Sequence, residues 1–571
     1  MTEAGATPDP SARPRAEEDL SDVQPAGWAT SGAGAVRDSI SVGTWTALSR
    51  GTGVVRVLLI AAVLGPTYLG NAFQLTNALP NLLFYGFLGG SLFASLLIPS
   101  FVGHLDRGAT ADVERVAGGF LGVAFLLLCV IAPVAVLVVP ALLQLLAPLA
   151  DSGAADQQAK LARLLLLMMV PQALGYAVAS VCAASMNAQR RFALAAAAPA
   201  IENVAIVMVL LVVAKVYGQH SGSGSAPAGE LLLLGLGSTA AVAVHAGLQW
   251  WGASRGGVRL RPRMGWRDSE VRLVVQRAMP SLVQSGLMAL QILALLLVAS
   301  SVAGGTVAFQ IALNFYALPI SIVATPVALT LLPRLSRLVQ SSNAAQFADA
   351  LVRGLRLVLF LTLPAATGYL VLAGPIADTV AGGAMATADG RMMITYALGS
   401  IACGLVGQAV FFVAAQAAYA RRDTRTPLRS MLLQTVACLF FSGLAVPAEG
   451  VRVLIIAGLG YSLANLLGAA HLLVMVRRSL VPGTERLQPG LAQVVAGCFA
   501  TAALSLLTSQ LISRMLLGRP GATLAVLVAS AVGLATFVAV QLLCRSQEAR
   551  WLVAGIAHRG TGAVTGDKIE T

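Results

Sequence analysis

Charge is what this 571-residue sequence has least of: Asp, Glu, Lys and Arg make up 11% of it, against 57% hydrophobic residues. A mean hydropathy of +0.79 means more apolar surface than a soluble core can bury, which excludes a water-soluble globular fold. Long polar stretches are missing too. The interior loops reach only roughly 20 residues, too few to house a nucleotide-binding module, and no Walker or Gly-rich phosphate-loop pattern occurs. ATP hydrolysis by this chain is thereby excluded, so energy has to come from gradients or from the substrate. The six cysteines (Cys129, Cys182, Cys403, Cys438, Cys498, Cys544) lie in or at the ends of apolar runs without CxxC or metal spacing, and read as small hydrophobes. No Ser/His/Asp arrangement, carboxylate pair or metal cluster stands out, which argues against an enzyme and against a bound cofactor or metal.

What is present is fourteen apolar runs between about residues 40 and 544, each near the roughly 20 residues that carry a helix across a bilayer. The expected fold is all-α, a polytopic membrane protein of about 14 transmembrane helices. Pro80, Pro171, Pro199, Pro280, Pro319, Pro326 and Pro364 fall inside spans, where neighbouring helices can satisfy the freed carbonyls. Such breaks suit a transporter better than a rigid anchor. The net charge of +13 is sorted by loop: about 21 Arg and Lys follow spans 2, 4, 6, 8, 10 and 12, and about 7 lie in the loops between. Arg255, Arg259, Arg261, Arg263, Arg267 and Arg272 share one loop, and Arg421, Arg422, Arg425 and Arg429 another. The positive-inside bias places these loops and both termini in the cytoplasm. It assigns the basic excess to topology and anionic lipid, not to nucleic acid. Residues 1–39, polar and of mixed charge with no secretory signal visible, read as a disordered cytoplasmic tail, and 545–571 as a second tail.

Two halves repeat. Span 2 ends in Leu97-Ile98-Pro99-Ser100-Phe101 and span 8 in Leu331-Leu332-Pro333-Arg334-Leu335, an offset of 234. The basic turn after span 4, Asn187 to Arg191, recurs after span 10 as Tyr419 to Asp423, its arginine pairs offset by 231. The expected domains are a six-helix bundle over 40–254, a basic linker over 255–272, a second six-helix bundle over 273–478 and two appended helices over 490–544. Six spans per unit relate the bundles by an axis along the membrane normal, enclosing a central cavity worked by alternating access.

Charges inside spans are the sharpest pointers to a site, since each costs at least about 2.5–3.5 kcal/mol at the bilayer centre unless it faces a cavity or a partner. Arg50 and Arg56 lie in span 1, about 9 Å apart along the axis. Two cavity-facing guanidiniums would grip a phosphate or pyrophosphate bidentately; the plainer reading has Arg50 snorkelling to the interface. Glu202 is the acid set well inside a span. It either couples an ion or ties span 5 to span 1. His245 and His471 read as helix-packing residues. Asn71, Gln74, Asn77 and Asn81 form a polar stripe that suits a wet cavity or interhelical hydrogen bonds equally.

Leu48-Ser49-Arg50 with Gly53 and Arg56, Leu79-Pro80-Asn81-Leu82-Leu83, Ile98-Pro99, the turn Asn187 to Phe192, Arg261-Pro262-Arg263 with Trp266, and Leu331 to Ser336 follow one another in order. Together they resemble the MurJ/MviN lipid II flippases of the multidrug/oligosaccharidyl-lipid/polysaccharide exporter superfamily. The resemblance runs from about 40 to 480, and fourteen spans match it. It implies export of the undecaprenyl-pyrophosphate-linked peptidoglycan precursor across a bacterial plasma membrane, with the lipid tail in a groove of spans 13 and 14. Several family charges are replaced: Val57 follows Arg56 where the family has Asp, Asn71 stands for an acid, Phe84-Tyr85 for two arginines, and Asn314 for the arginine of helix 8.

The resulting expectation is a flippase for a polyprenyl-pyrophosphate-linked cell-wall precursor, lipid II favoured. Arg50 and Arg56 would hold the pyrophosphate, Asn77, Gln284 and Asn314 the headgroup, and Glu202 is the ion-coupling candidate. Expected partners are the undecaprenyl-linked glycan, membrane lipids and other cell-wall synthesis proteins. Three alternatives stay open: another lipid-linked glycan as cargo, a drug/cation antiporter with an acid-lined cavity, and a transport-inactive scaffold in which Arg56 is dispensable.

Overall fold

A computed structural model describes residues 32–83, 90–145, 152–219, 226–478, 480 and 488–550. Phe84 and Tyr85, residues 1–31 of the first tail and 551–571 of the second lie outside them. Everything regular among the described residues is helical, as a bilayer demands of a chain that cannot hydrogen-bond its backbone to lipid. Thirteen stretches among these residues are long and apolar enough to cross a membrane. The fourteenth expected crossing falls on α2 (Tyr68–Asn81) and α3 (Gly90–Leu105), with residues 84–89 between them outside the described residues. Leu137, Phe440, Leu527 and Leu534 stand more than half exposed on the outer faces, an apolar belt that only lipid satisfies.

The first lobe holds α1 (Gly32–Leu64), α2, α3, α4 (Thr110–Leu145), α5 (Ser152–Met169), α6 (Gln172–Ala188), α7 (Phe192–Tyr217) and α8 (Ala228–Arg255). The second holds α9 (Ser269–Ala299), α10 (Gly305–Pro319), α11 (Thr325–Gln340), α12 (Ala344–Val380), α13 (Ala388–Ala402), α14 (Gly404–Ala420), α15 (Arg425–Ala445) and α16 (Val451–Arg478). In the second lobe two crossings are broken, α10/α11 and α13/α14; in the first, α5/α6 is broken at the place of α13/α14, and α2 passes into a π turn at Leu82–Leu83 as α10 does at Ile320–Ala324. Pro171, which has no N–H, opens the break before α6. Between α10 and α11 a π-turn over Ile320–Ala324 follows Pro319, and Thr325 Oγ1 donates to the Ile320 carbonyl at 3.1 Å. Packing repeats as well: α1 on α7 matches α9 on α15, and α6 on α8 matches α14 on α16.

The basic turns also match, one residue away from where their arginine pairs align. Arg190 and Arg422 share the left-handed conformation (φ 59° and 61°). Arg191 N donates to Met186 O at 2.8 Å, and Asp423 N to Ala418 O at 2.9 Å. The offset is therefore 232, and Arg191 corresponds to Asp423; hydrogen-bond geometry, not charge, sets the register.

Helices α17 (Gln488–Met515) and α18 (Gly518–Leu543) pack on each other and on α12, outside both lobes. Arg356 of α12 donates through Nε to Glu548 at 2.5 Å, pinning the segment that follows α18 with an almost wholly buried pair. The inter-lobe linker lies flat on α4. Arg263 N donates to Gly118 O at 2.9 Å, and a methyl on Gly118 or Gly122 would collide with the carbonyls of Arg261 and Arg263.

The lobes meet closely at the face opposite the Arg-rich loops. Fully buried Asn71 donates to Val302 O at 2.7 Å and Ser300 O at 3.2 Å, and accepts from Thr306 N at 3.1 Å. Beneath this latch Phe73, Leu75, Val307 and Phe309 from both lobes fill one apolar core. At the basic face they are tied along one seam, between α3/α4 and the start of α9. There Ser100 Oγ donates to Glu270 at 2.6 Å, His104 Nε2 lies 2.9 Å from the same oxygen, and Arg115 reaches both Asp268 and Glu270.

Candidate functional site

Between the lobes, on the basic side of that core, lies a chamber of about 360 Å³. Arg50 and Arg56 of α1, Gln74, Asn77 and Asn81 of α2, Gln310 and Asn314 of α10 and Gln408 of α14 line it, and none of its lining residues is acidic. Helices α2 and α10, each of which runs into a π turn, supply most of these polar groups, as irregular crossings do in transporters. A second chamber of about 450 Å³ adjoins it, sharing Leu82, Met288, Ile292, Gln408 and Phe412 and running toward the basic ends of α9 and α14. Gln284 lies there, accepting a 2.5 Å hydrogen bond from Tyr419 Oη.

Arg56 of α1 is backed by groups from three converging helices. Its Nη1 lies 3.7 Å from Glu202 Oε1 on α7. Glu202 also accepts from Tyr176 Oη of α6 at 2.9 Å and pairs with His245 Nδ1 of α8 at 2.6 Å. Asn203 then donates to Ser49 O at 3.1 Å, fixing α1 on α7 where Gly53 allows close approach. Both oxygens of the buried carboxylate are hydrogen-bonded, whereas the guanidinium is left incompletely paired. Arg56 Nε is buried without a hydrogen-bond partner among the described residues, as are Gln74 Nε2 and Gln310 Oε1 of other residues lining the chamber. Orphaned polar atoms around a cavity are costly unless a ligand or water meets them.

Of the residues singled out in the sequence, Arg50, Arg56 and Asn77 from the first lobe and Asn314 from the second line one chamber, and Gln284 lines the adjoining one. Glu202 stands behind Arg56 instead of facing the chamber. The amide stripe divides: Asn71 latches the lobes, while Gln74, Asn77 and Asn81 face the cavity. His471 bonds Ser430 at 2.9 Å in helix packing. Tyr176, Gln310 and Gln408 were missed. Gln310 and Asn314 are spaced one turn apart, a signal the sequence did offer; Tyr176 gave none. Among the described residues no group of three His, Cys, Asp or Glu could hold a metal.

Two six-helix lobes around a polar chamber, closed at one face, define a polytopic transporter of the multidrug and lipid-linked oligosaccharide exporter class. Solved structures agree on the fold. "Lipid II flippase MurJ, inward closed conformation" matches with a TM-score of 0.69 at 16% identity, covering 89% of this chain and 99% of that one. An inward-facing multidrug resistance MATE transporter of the MOP superfamily matches with a TM-score of 0.57 at 14% identity, covering 76% and 94%. The family model "Lipid II flippase MurJ" matches residues 60–544, and the chain belongs to that family. The match begins after Arg50 and Arg56. Relatives described as probable lipid II flippase MurJ are 28% identical in Rhizobium meliloti (69% of this chain, 72% of the relative) and 26% in Rhizobium tropici (78% and 81%).

Proposed function

We propose that this protein moves lipid II from the inner to the outer leaflet of a bacterial plasma membrane by alternating access, without chemical change to the cargo. The observation that carries this reading is the chamber itself: two arginines and a set of amides, no acid, and one face shut by the Asn71 latch. The Arg-rich face is the cytoplasmic one by the positive-inside bias, with both termini on that side, so this is the inward-facing state. Arg56 and Arg50 bind the pyrophosphate, the group that planar guanidiniums hold best. Asn77, Asn314 and Gln284, joined by Gln74 and Gln310, hydrogen-bond the sugar and peptide headgroup. The polyprenyl tail lies along α17 and α18.

Glu202 is then a release partner. As the Asn71 latch opens and the chamber turns outward, Arg56 exchanges the phosphate for the carboxylate 3.7 Å away. An ion entering at Glu202 and His245 would couple to that exchange. A drug/cation antiporter is disfavoured because the wall carries cations and amides. Any polyprenyl-pyrophosphate glycan would meet the same arginines, so cargo choice rests with the amides. Binding of lipid II to the purified protein, wild type beside Arg56→Ala, tests this: affinity should fall at least ~10-fold, the loss of one charge-assisted contact. Equal affinity would remove Arg56 from the site.

A further inference from the structure

Outside the lobes' chamber, a second cavity of about 380 Å³ opens on the basic face where the α6–α7 turn meets the end of α8. Its walls are Arg190, Arg191, Phe192, Leu194, Trp251 and Arg255, with Gly252 as its floor and no acid among its lining residues. A side chain at Gly252 would run into Met186 and Leu194, so the floor is closely packed. Gln189 Nε2 donates to Gly256 O at 3.0 Å, holding the turn and the end of α8 together as one unit. The Arg255 guanidinium lies 4.4 Å from the Trp251 ring, which orients it by cation–π attraction.

The duplicated fold supplies its own control. In the second lobe the residue after left-handed Arg422 is Asp423, whose Oδ1 accepts from Arg425 N and Thr426 N at 3.0 Å each. Those bonds, working against burial, hold its carboxyl below the usual range. In the first lobe the same position is Arg191, and α7 begins with no side-chain cap. One copy of the turn carries its own anion; the other carries an extra cation over an open cavity.

We propose that this cavity binds the phosphodiester headgroup of an anionic phospholipid from the leaflet at the basic face. Three guanidiniums supply the charge-assisted donors for a phosphate. A lipid, not free phosphate, is the source, because the cavity has an apolar side. Phe192 and Leu194 line it, Trp250 and Trp251 stand half exposed beside it, and the outward face of α7 continues in exposed Ile201 and Val204. Such an aromatic rim marks the headgroup level of a bilayer. The bound lipid completes in the first lobe the anion that Asp423 provides in the second, and steadies the lobe that carries Arg56.

The test is lipid binding to the full chain in detergent, read by native mass spectrometry. Dioleoyl phosphatidylglycerol, dioleoyl phosphatidylcholine and inorganic phosphate are the probes. The variants are Arg191→Ala/Arg255→Ala, Arg421→Ala/Arg422→Ala and Arg191→Asp. Phosphatidylglycerol should bind the wild type at least 10-fold more tightly than phosphatidylcholine. That preference should vanish in Arg191→Ala/Arg255→Ala and persist in Arg421→Ala/Arg422→Ala. Arg191→Asp should lose the lipid while keeping its melting temperature, since it installs the cap that the second lobe already has. Unchanged phosphatidylglycerol binding in both Arg191 variants overturns the proposal. So does inorganic phosphate displacing the lipid at equal concentration, or equal loss of binding in the second-lobe variant. Binding in detergent does not depend on which face is cytoplasmic or on the transported cargo.

Discussion

Arg56 Nη1 stands 3.7 Å from Glu202 Oε1, across the α1–α7 packing surface. That is close enough for attraction and too far for a hydrogen bond. Glu202 has better partners in Tyr176 and His245, so the arginine is the member of the group free to change sides.

This predicts opposite effects for two conservative changes. Glu202→Gln keeps the shape, removes the competing charge, and should tighten lipid II binding about 3–10-fold while slowing turnover. Arg56→Lys keeps the charge but loses the planar fork, and should weaken binding about 10-fold. Titration of the purified variants with lipid II checks both.

Asn71 makes three inter-lobe hydrogen bonds from a fully buried position. Asn71→Ala leaves backbone groups of the second lobe unpaired, at about 1–3 kcal/mol. The expected result is a lower melting temperature and faster labelling of a cysteine placed at Phe309 by an impermeant thiol reagent from the face opposite the basic loops. Labelling that stays as slow as in the wild type background would mean Asn71 is no latch.

The seam at the basic face sets a pH dependence. Burial works to raise the Asp268 carboxyl, but hydrogen bonds from Arg115, Val271 N and Glu270 N outweigh it, so Asp268 titrates below the ordinary carboxylate range. Glu270 is lowered in the same way by Ser100, His104 and Arg115. A carboxyl depressed by folding contributes stability above its unfolded value of about 4 and loses that contribution as pH falls through the lowered folded value. The melting-temperature gap between wild type and Asp268→Asn should thus be constant from pH 8 to about 5 and close below about pH 4.

Gly122 faces the linker with no room for a side chain, and Gly247 has open space where a Cβ would go. Gly122→Ala should cost about 1–3 kcal/mol by forcing the linker off α4; Gly247→Ala should be neutral or slightly stabilising. Thermal unfolding of the two variants side by side decides it.

The span count and the lobed plan were legible because bilayer thickness and backbone satisfaction leave few choices for a chain this apolar. That Arg50, Arg56, Asn77 and Asn314 would face a cavity was legible for a related reason: polar groups in mid-span must face something polar. Which polar partner they face was not. Glu202 lies behind Arg56 because of how α1 and α7 are rotated about their axes, and that rotation is fixed by packing with helices distant in sequence; Asn71 and Asn77, six residues apart on α2, point about 120° apart, and only the packing of α2 decides which of them meets the chamber. Tyr176 entered the site the same way. The register of the basic turns was misjudged by one residue because two adjacent arginines look alike in sequence, and only the left-handed residue marks the true match.

Translocation of labelled lipid II across proteoliposomes, with wild type and Arg56→Ala reconstituted in parallel, decides whether the chamber carries this cargo through Arg56. The expected result is transport by the wild type and a loss of at least ~10-fold in the variant. No transport by folded wild type, or undiminished transport by Arg56→Ala, would contradict it.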